Sequence, residues 1–292
     1  MIYIDKTTNR NDGDAKTKYY LEHKCKNPAT MRFMHIRYKD EVSIGEKFSG
    51  TRVYRDMRTL LLSEQNNYCC YCLRKIGDEP LGSATIEHII PESCPPDDLA
   101  KYRTAPNLKA TQIILTNDFE AATVQTMPPY PHTVAYRNFV VSCNGTFPNK
   151  REGKGKTGTK QCCNNKRGNE YVFPVYFRKH IHGNVKYKPN GTMQPQKGCK
   201  YKREILNLIE NTGLYCEPLK EIRHLWYELR NCDINTIIAC EDETARDALF
   251  TTNLSDLTMD EDLIKTYKKD EYWNTLMLYD KFHEIMRQQY PA

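Results

Sequence analysis

Two groups of residues in this chain have the types and spacing that chemistry requires. The first is Cys69-Cys70-Tyr71-Cys72, in which Cys69 and Cys72 form a Cys-x-x-Cys pair able to present two thiolates to one tetrahedral zinc ion in a tight turn. A second pair has to come from downstream, and Cys143 and Cys163 are the candidates. Their neighbours Cys70 and Cys162 compete for the same roles, so each assignment is open by one position. A four-sulfur site of this kind is closed and serves structure, leaving no coordination position for a substrate. The second group is Glu87-His88 within Thr85-Ile86-Glu87-His88-Ile89-Ile90-Pro91. Neighbouring side chains on a strand point to opposite faces, so the pair can act together only at a strand end or turn, and Pro91 ends a strand there.

The elements that must carry these residues can be read from periodicity. Val53, Met57, Leu60, Leu61 and Glu64 follow helical spacing and predict an amphipathic helix that stops at Gln65-Asn66-Asn67 and delivers the chain to Cys69. Short strands are expected over residues 84–90, 110–116 and 134–142, separated by loops containing Pro95-Pro96 and Pro128-Pro129. Residues 145–161 are Gly- and Lys-rich and read as a basic loop, and 171–187 read as extended. Helices are expected over 205–214, 219–229, 234–250 and 272–287. Residues 1–48 are polar and basic, with one short helix around Thr17–His23.

The 12 cysteines and the charge distribution narrow the function classes. A disulfide framework is not expected without a secretory signal, and the isolated Cys25, Cys199, Cys216, Cys232 and Cys240 read as small buried side chains. Apolar runs such as Leu60–Leu62 fall far short of the roughly 20 residues of a membrane helix, so a cytoplasmic protein without membrane contact is expected. The net charge of +6 conceals a division: residues 1–200 carry 32 Lys+Arg against 19 Asp+Glu, and residues 201–292 carry 11 against 18. A basic part facing a polyanion, followed by an acidic part with another task, fits that pattern.

Taken in order, Cys69-x-x-Cys72, Ile86-Glu87-His88-Ile89-Ile90-Pro91, Tyr136-Arg137-Asn138-Phe139-Val140-Val141-Ser142-Cys143 and Cys163-Asn164-Asn165-Lys166-Arg167-Gly168 resemble the HNH endonucleases with their ββα-metal site. The Leu60-Leu61-Leu62-Ser63-Glu64-Gln65 helix end, the long insertion before Cys163 and Ile205-Leu206-Asn207-Leu208 are similar to the PtuB-type nucleases of Septu and some retron anti-phage systems. The resemblance covers roughly residues 54–215. It departs from the usual second Cys-x-x-Cys, because 19 residues separate Cys143 from Cys163.

The resemblance implies an α+β fold: a zinc-stapled ββα-metal core flanked by helices, with a mostly helical C-terminal region. The corresponding division is a basic N-terminal segment 1–52, a nuclease domain 53–198 and an acidic helical region 199–292. It further implies that Glu87 and Asn164 bind a catalytic Mg²⁺ or Mn²⁺, that His88 takes a proton from water, and that Asn138 fixes the histidine loop through backbone hydrogen bonds. Zn²⁺ would be structural. Lys166 and Arg167 would contact phosphate from a helix terminus, and Lys154, Lys156 and Lys160, with Lys150 and Arg151, would do so from the basic loop. Asn165 is the alternative to Asn164, and His180 and His182 are alternatives for a metal ligand. DNA is the expected substrate, and an ABC or SMC-like ATPase the expected partner, docked on residues 201–292. A zinc deaminase is excluded, because its His-x-Glu precedes Pro-Cys-x-x-Cys. A non-catalytic zinc module that binds nucleic acid and a free-standing restriction-like nuclease are the other readings.

Overall fold

The computed structural model describes residues 1–25, 48–77, 84–115, 127–147, 160–232 and 270–291, together with 242, 244, 245 and 248. Helices and two-stranded sheets combine in an α+β fold. Among the described residues, no helix is long and apolar enough to cross a membrane.

The first helix, α1 (Arg10–Tyr20), begins before the one expected near Thr17 and continues as a π-turn over Leu21–Cys25. Gly13 belongs in it because a Cβ at that position would lie 2.2 Å from the Tyr136 ring. Helix α2 (Arg52–Glu64) buries Val53, Met57, Leu61 and Leu62, and the Thr51 hydroxyl caps it by accepting the Tyr54 N–H at 3.1 Å. It stops at Gln65, after which Asn66 and Asn67 take φ of 51° and 60°, a left-handed conformation that asparagine tolerates.

Strand β1 (Ala84–His88) is followed by the short helix α3 (Pro96–Tyr102) and by β2 (Ile113–Ile114), which pairs in parallel with β3 (Tyr130–Pro131). The strand expected over 110–116 is thus only two residues long. The one expected over 134–142 divides: Tyr136–Asn138 form a 3-10 turn, and β4 (Phe139–Cys143) begins after it. Strands β1 and β4 are antiparallel, with Ala84 opposite Cys143 at one end and His88 opposite Phe139 at the other.

The basic loop starts and finishes in the antiparallel pair β5 (Thr146–Phe147) and β6 (Lys160–Gln161). Lys150, Arg151, Lys154 and Lys156 lie outside the described residues. The single-turn helix α4 (Cys163–Arg167) follows and packs on β4.

Residues 171–187 are not extended throughout. Val172, Phe173, Val175, Tyr176 and Phe177 are all buried rather than alternating, and Pro174 lacks an N–H, so the chain folds into 3-10 turns at Val175–Phe177 and Ile181–Asn184. Only β7 (Val185–Tyr187) is a strand, paired with β8 (Met193–Pro195).

The C-terminal region supplies α5 (Lys202–Asn211), α6 (Glu217–Glu228), α7 (Asp270–Met277) and α8 (Lys281–Gln289). The helix expected over 272–287 is broken at 278–280. There the Leu278 carbonyl accepts the Lys75 N–H at 2.6 Å, and Asp280 accepts from Lys75 Nζ and Tyr68 Oη, each at 2.9 Å. The helix expected over 234–250 lies outside the described residues, apart from 242, 244, 245 and 248. Among the described residues one hydrophobic core draws on Ile4 near the start of the chain, Met57, Leu61, Val141 and Tyr176 in its middle, and Trp226, Leu276 and Phe282 near its end.

Candidate functional site

The Cys69–Cys72 segment is a knuckle. Its turn is closed by Cys69 N–H donating to Arg74 at 2.8 Å and by Leu73 adopting φ of 64°. Gln65, fully buried, joins this knuckle to β4: its Nε2 donates to the Tyr68 and Val141 carbonyls and its Oε1 accepts the Val141 N–H, all at 2.8 Å. Cys143 at the end of β4 and Cys163 at the start of α4 complete a buried quartet with Cys69 and Cys72, whose sulfurs all lie within 4.8 Å of one another. Cys69 is 3.8 Å from Cys163, and Cys72 is 3.6 Å from Cys143. A tetrahedron with Zn–S bonds of about 2.3 Å has edges of about 3.8 Å, so these four thiols fit a structural metal ion such as zinc. Against burial, which raises it, hydrogen bonds from Cys143, Cys163, Cys70 and Cys72 hold the Cys69 thiol well below its ordinary value.

Both competing cysteines are outside that quartet. Cys70 is buried with its N–H on the Val141 carbonyl, and Cys162 stands beside the cluster with its sulfur 3.4 Å from that of Cys163.

Toward the other end of the hairpin a cleft of about 190 Å³ is lined by Ile86, Glu87, His88, Pro91, Glu92, Asn164, Arg167, Gly168 and Asn169. Glu87, His88 and Asn164, far apart in sequence, thus share one cavity. Ending β1 at His88 is what lets the adjacent Glu87 and His88 both reach it.

Glu87 is 4 % exposed, and its Oε1 accepts from Tyr71 Oη at 3.1 Å and from Arg167 Nη1. Burial raises its carboxyl above the ordinary value, while the charge and hydrogen bond of Arg167 and the hydroxyl of Tyr71 pull the other way.

Arg167, expected as a phosphate contact, lines the cleft but is engaged within the protein. It is 2 % exposed, and besides Glu87 it donates to the His88 carbonyl, to the Ile89 carbonyl at 2.6 Å and to Tyr102 Oη at 3.3 Å. A guanidinium committed to four acceptors inside the protein braces α4 against the end of β1. At the start of α4 the Cys163 N–H donates to the Thr212 carbonyl at 2.8 Å and is thereby engaged within the protein. Lys166 and Asn165 are exposed beside it, and Lys160 lies in β6.

His88 is held by its surroundings. One ring nitrogen, Nε2, lies 3.0 Å from the Thr133 carbonyl, and the ring meets Phe139 edge-on at 4.9 Å. A carbonyl only accepts, so Nε2 carries the hydrogen and the basic nitrogen of the neutral ring is Nδ1. Asn138 is fully buried. Its Oδ1 accepts the Ile90 N–H at 2.7 Å, and its Nδ2 donates to the carbonyls of Ile90 at 2.9 Å and His132 at 2.8 Å. The chain just after His88 and the His132 carbonyl, next to the Thr133 carbonyl that meets the imidazole, are therefore tied to one amide. Asn164 Nδ2 donates to Thr85 Oγ1 at 3.3 Å, which leaves its oxygen as the group to meet a cation. His180 and His182 are exposed and are not among the residues lining the cleft.

Several residues that build this site were assigned no role in it by the sequence: Gln65, Tyr71, Tyr102 and Thr133. For Gln65 the signal was available in outline, as a polar residue ending an amphipathic helix just before a metal knuckle. Thr133 acts through its backbone, which no side-chain pattern reveals. No protein-family model, curated protein or solved structure matches the chain.

Proposed function

We propose that the protein is a metal-dependent HNH-type endonuclease that hydrolyses DNA phosphodiester bonds, with the β1–β4 hairpin and α4 as its ββα-metal unit. The observation that carries this reading is the convergence of Glu87, His88 and Asn164 on one cleft, with a four-cysteine cluster at the other end of the same hairpin.

In this reading Nδ1 of His88 takes the proton of the attacking water, and the Thr133 carbonyl steadies the imidazolium through Nε2–H. Asn138 keeps the histidine and the loop after it in register. Glu87 through its second carboxylate oxygen and Asn164 through its amide oxygen would hold a hard divalent ion such as Mg²⁺ or Mn²⁺. That ion, when bound, would neutralise charge on the scissile phosphate and on the departing oxygen. Because Arg167 already balances the charge of Glu87, the two ligands make a weak cation site that would leave several waters on the ion. Lys166 is the exposed cation nearest the cleft in sequence, and the 150–160 lysines are assigned to the DNA backbone on charge alone.

Incubation with supercoiled plasmid and Mg²⁺ or Mn²⁺ tests the proposal. Nicking or linearisation that vanishes with chelator and in His88→Ala supports it. Cleavage that survives His88→Ala removes His88 as the base, and intact plasmid beside a protein that still binds DNA replaces the nuclease reading with the non-catalytic zinc module.

The defence role and its ATPase partner extend this reading through resemblance. Residues 201–292 supply core side chains such as Trp226 and Phe282, so truncation would test folding first. Exchanging the exposed Leu206 and Tyr215 for Glu tests docking alone: co-purification with an ATPase of that class, undiminished, would remove this face as its binding site.

A further inference from the structure

The N-terminal residues, basic in sequence and expected to face a polyanion, converge on the back of the turn that holds His88. Lys6 is 1 % exposed, with Nζ 2.7 Å from Glu64 Oε2 and 4.2 Å from the centre of the Tyr136 ring. The other oxygen of Glu64 accepts from Tyr136 Oη. Gly13 lies flat against that same ring, and the Thr17 hydroxyl accepts the Tyr136 N–H at 3.1 Å. Asp14 takes the next residue, Arg137, through Nη2 at 2.6 Å and Nε at 3.2 Å. The third residue of the turn, Asn138, reaches the other way, to Ile90 and His132.

We propose that Lys6 is a positioning residue for His88: its ion pair with Glu64 fixes Tyr136, and thereby holds the 133–138 turn whose Thr133 carbonyl orients the imidazole. The catalytic consequence rests on the nuclease reading, whereas the geometry does not. A buried ammonium is costly unless paired, so an apolar residue would anchor the N-terminal segment at lower cost if anchoring were the whole task. What the ammonium adds is direction. It lies between a carboxylate and an aromatic face and so fixes both the height and the tilt of the Tyr136 ring, one residue from Arg137 and two from Asn138.

The test uses the full chain with zinc bound and ¹⁵N-labelled histidine, comparing wild type, Lys6→Met and Glu64→Gln. Wild-type His88 is expected as a single Nε2–H tautomer. In Lys6→Met, and to a smaller degree in Glu64→Gln, the shifts should move toward a tautomer mixture while zinc content and cooperative melting persist. For plasmid cleavage, kcat should fall on the order of tenfold or more at unchanged KM, since misplacing a reacting group by about 1 Å costs about a hundredfold. An unchanged tautomer in both variants overturns the proposal, as does a wild-type His88 protonated on Nδ1. Should Lys6→Met fail to fold, Glu64→Gln alone decides. A wild type that does not cut removes the nuclease reading, and the tautomer comparison still judges the positioning.

Discussion

At its Cys143 end the β1–β4 hairpin is tied by four thiols, whereas at its His88 end it is tied by one buried amide, one ion pair and a set of backbone carbonyls. The thiol end is defined by its own ligands, and a metal ion would satisfy all of them at once. The histidine end is defined by residues around Glu87 and His88: Asn138 and Thr133 from the turn, Arg167 from α4, and Lys6 and Asp14 from the N-terminal segment. A closed centre can be self-sufficient. The cleft draws its order from the residues packed around it.

The strongest way to break this comparison is to remove the metal. Structural zinc contributes about 10–16 kcal/mol in small zinc modules, comparable with or above the roughly 5–15 kcal/mol that stabilises a typical domain. Chelation, or Cys143→Ser, is expected to abolish cooperative thermal unfolding, followed by circular dichroism alongside metal content. Retention of a sharp transition in the metal-free chain would show that the quartet is packing only.

The next effect is at the ion pair. Removing one partner of a buried pair costs about 3–5 kcal/mol, so Arg167→Met should lower the denaturant midpoint markedly. Glu87→Gln with Arg167→Met should recover part of that loss, because no uncompensated charge remains. A double variant no more stable than the single one would mean that the bonds from Arg167 to the His88 and Ile89 carbonyls dominate.

A finer contrast sets the two buried amides against each other. Gln65→Ala and Asn138→Ala each strand buried backbone groups, at about 1–3 kcal/mol per group. Comparable losses of stability are expected from both. Only Asn138→Ala should also suppress plasmid cleavage while the zinc content stays whole, whereas Gln65→Ala should loosen zinc first.

The smallest effect expected is a pH dependence. Burial lowers the His132 imidazole below its ordinary 6.5, while the Glu92 carbonyl pulls the other way. The unfolded chain therefore takes up the proton first. Stability is complete above that ordinary value and declines as pH falls from there toward the lower folded value. Denaturation midpoints between about pH 7 and 5 should show a shallow decline that His132→Gln reduces. The remainder comes from groups such as His283, which burial lowers in the same way.

How legible each end was in the sequence follows from the same contrast. Cysteine spacing signals metal chemistry directly, and the amphipathic run before Cys69 was enough to locate α2 and its end. The histidine end was legible only in its motif residues, because the groups that orient them act through backbone atoms or across long separations, such as Lys6 with Glu64 and Arg137 with Asp14. Arg167 shows the limit most clearly. Beside Asn164 and Lys166 it reads as a surface cation, and only its four internal acceptors reveal a brace. The extended reading of 171–187 failed for another reason: an apolar run predicts burial, but it does not supply a strand for that run to pair with.

The attachment of α7 and α8 to the knuckle has an optical consequence. The two tryptophans of the chain, Trp226 and Trp273, are both buried among the C-terminal helices, and those helices hold Lys75 and Tyr68 through Leu278 and Asp280. Indole emission therefore reports on an element that leans directly on the cysteine turn. Loss of a metal ion from the quartet is therefore expected to appear as a red shift of indole emission, read by fluorescence during chelation without any added dye.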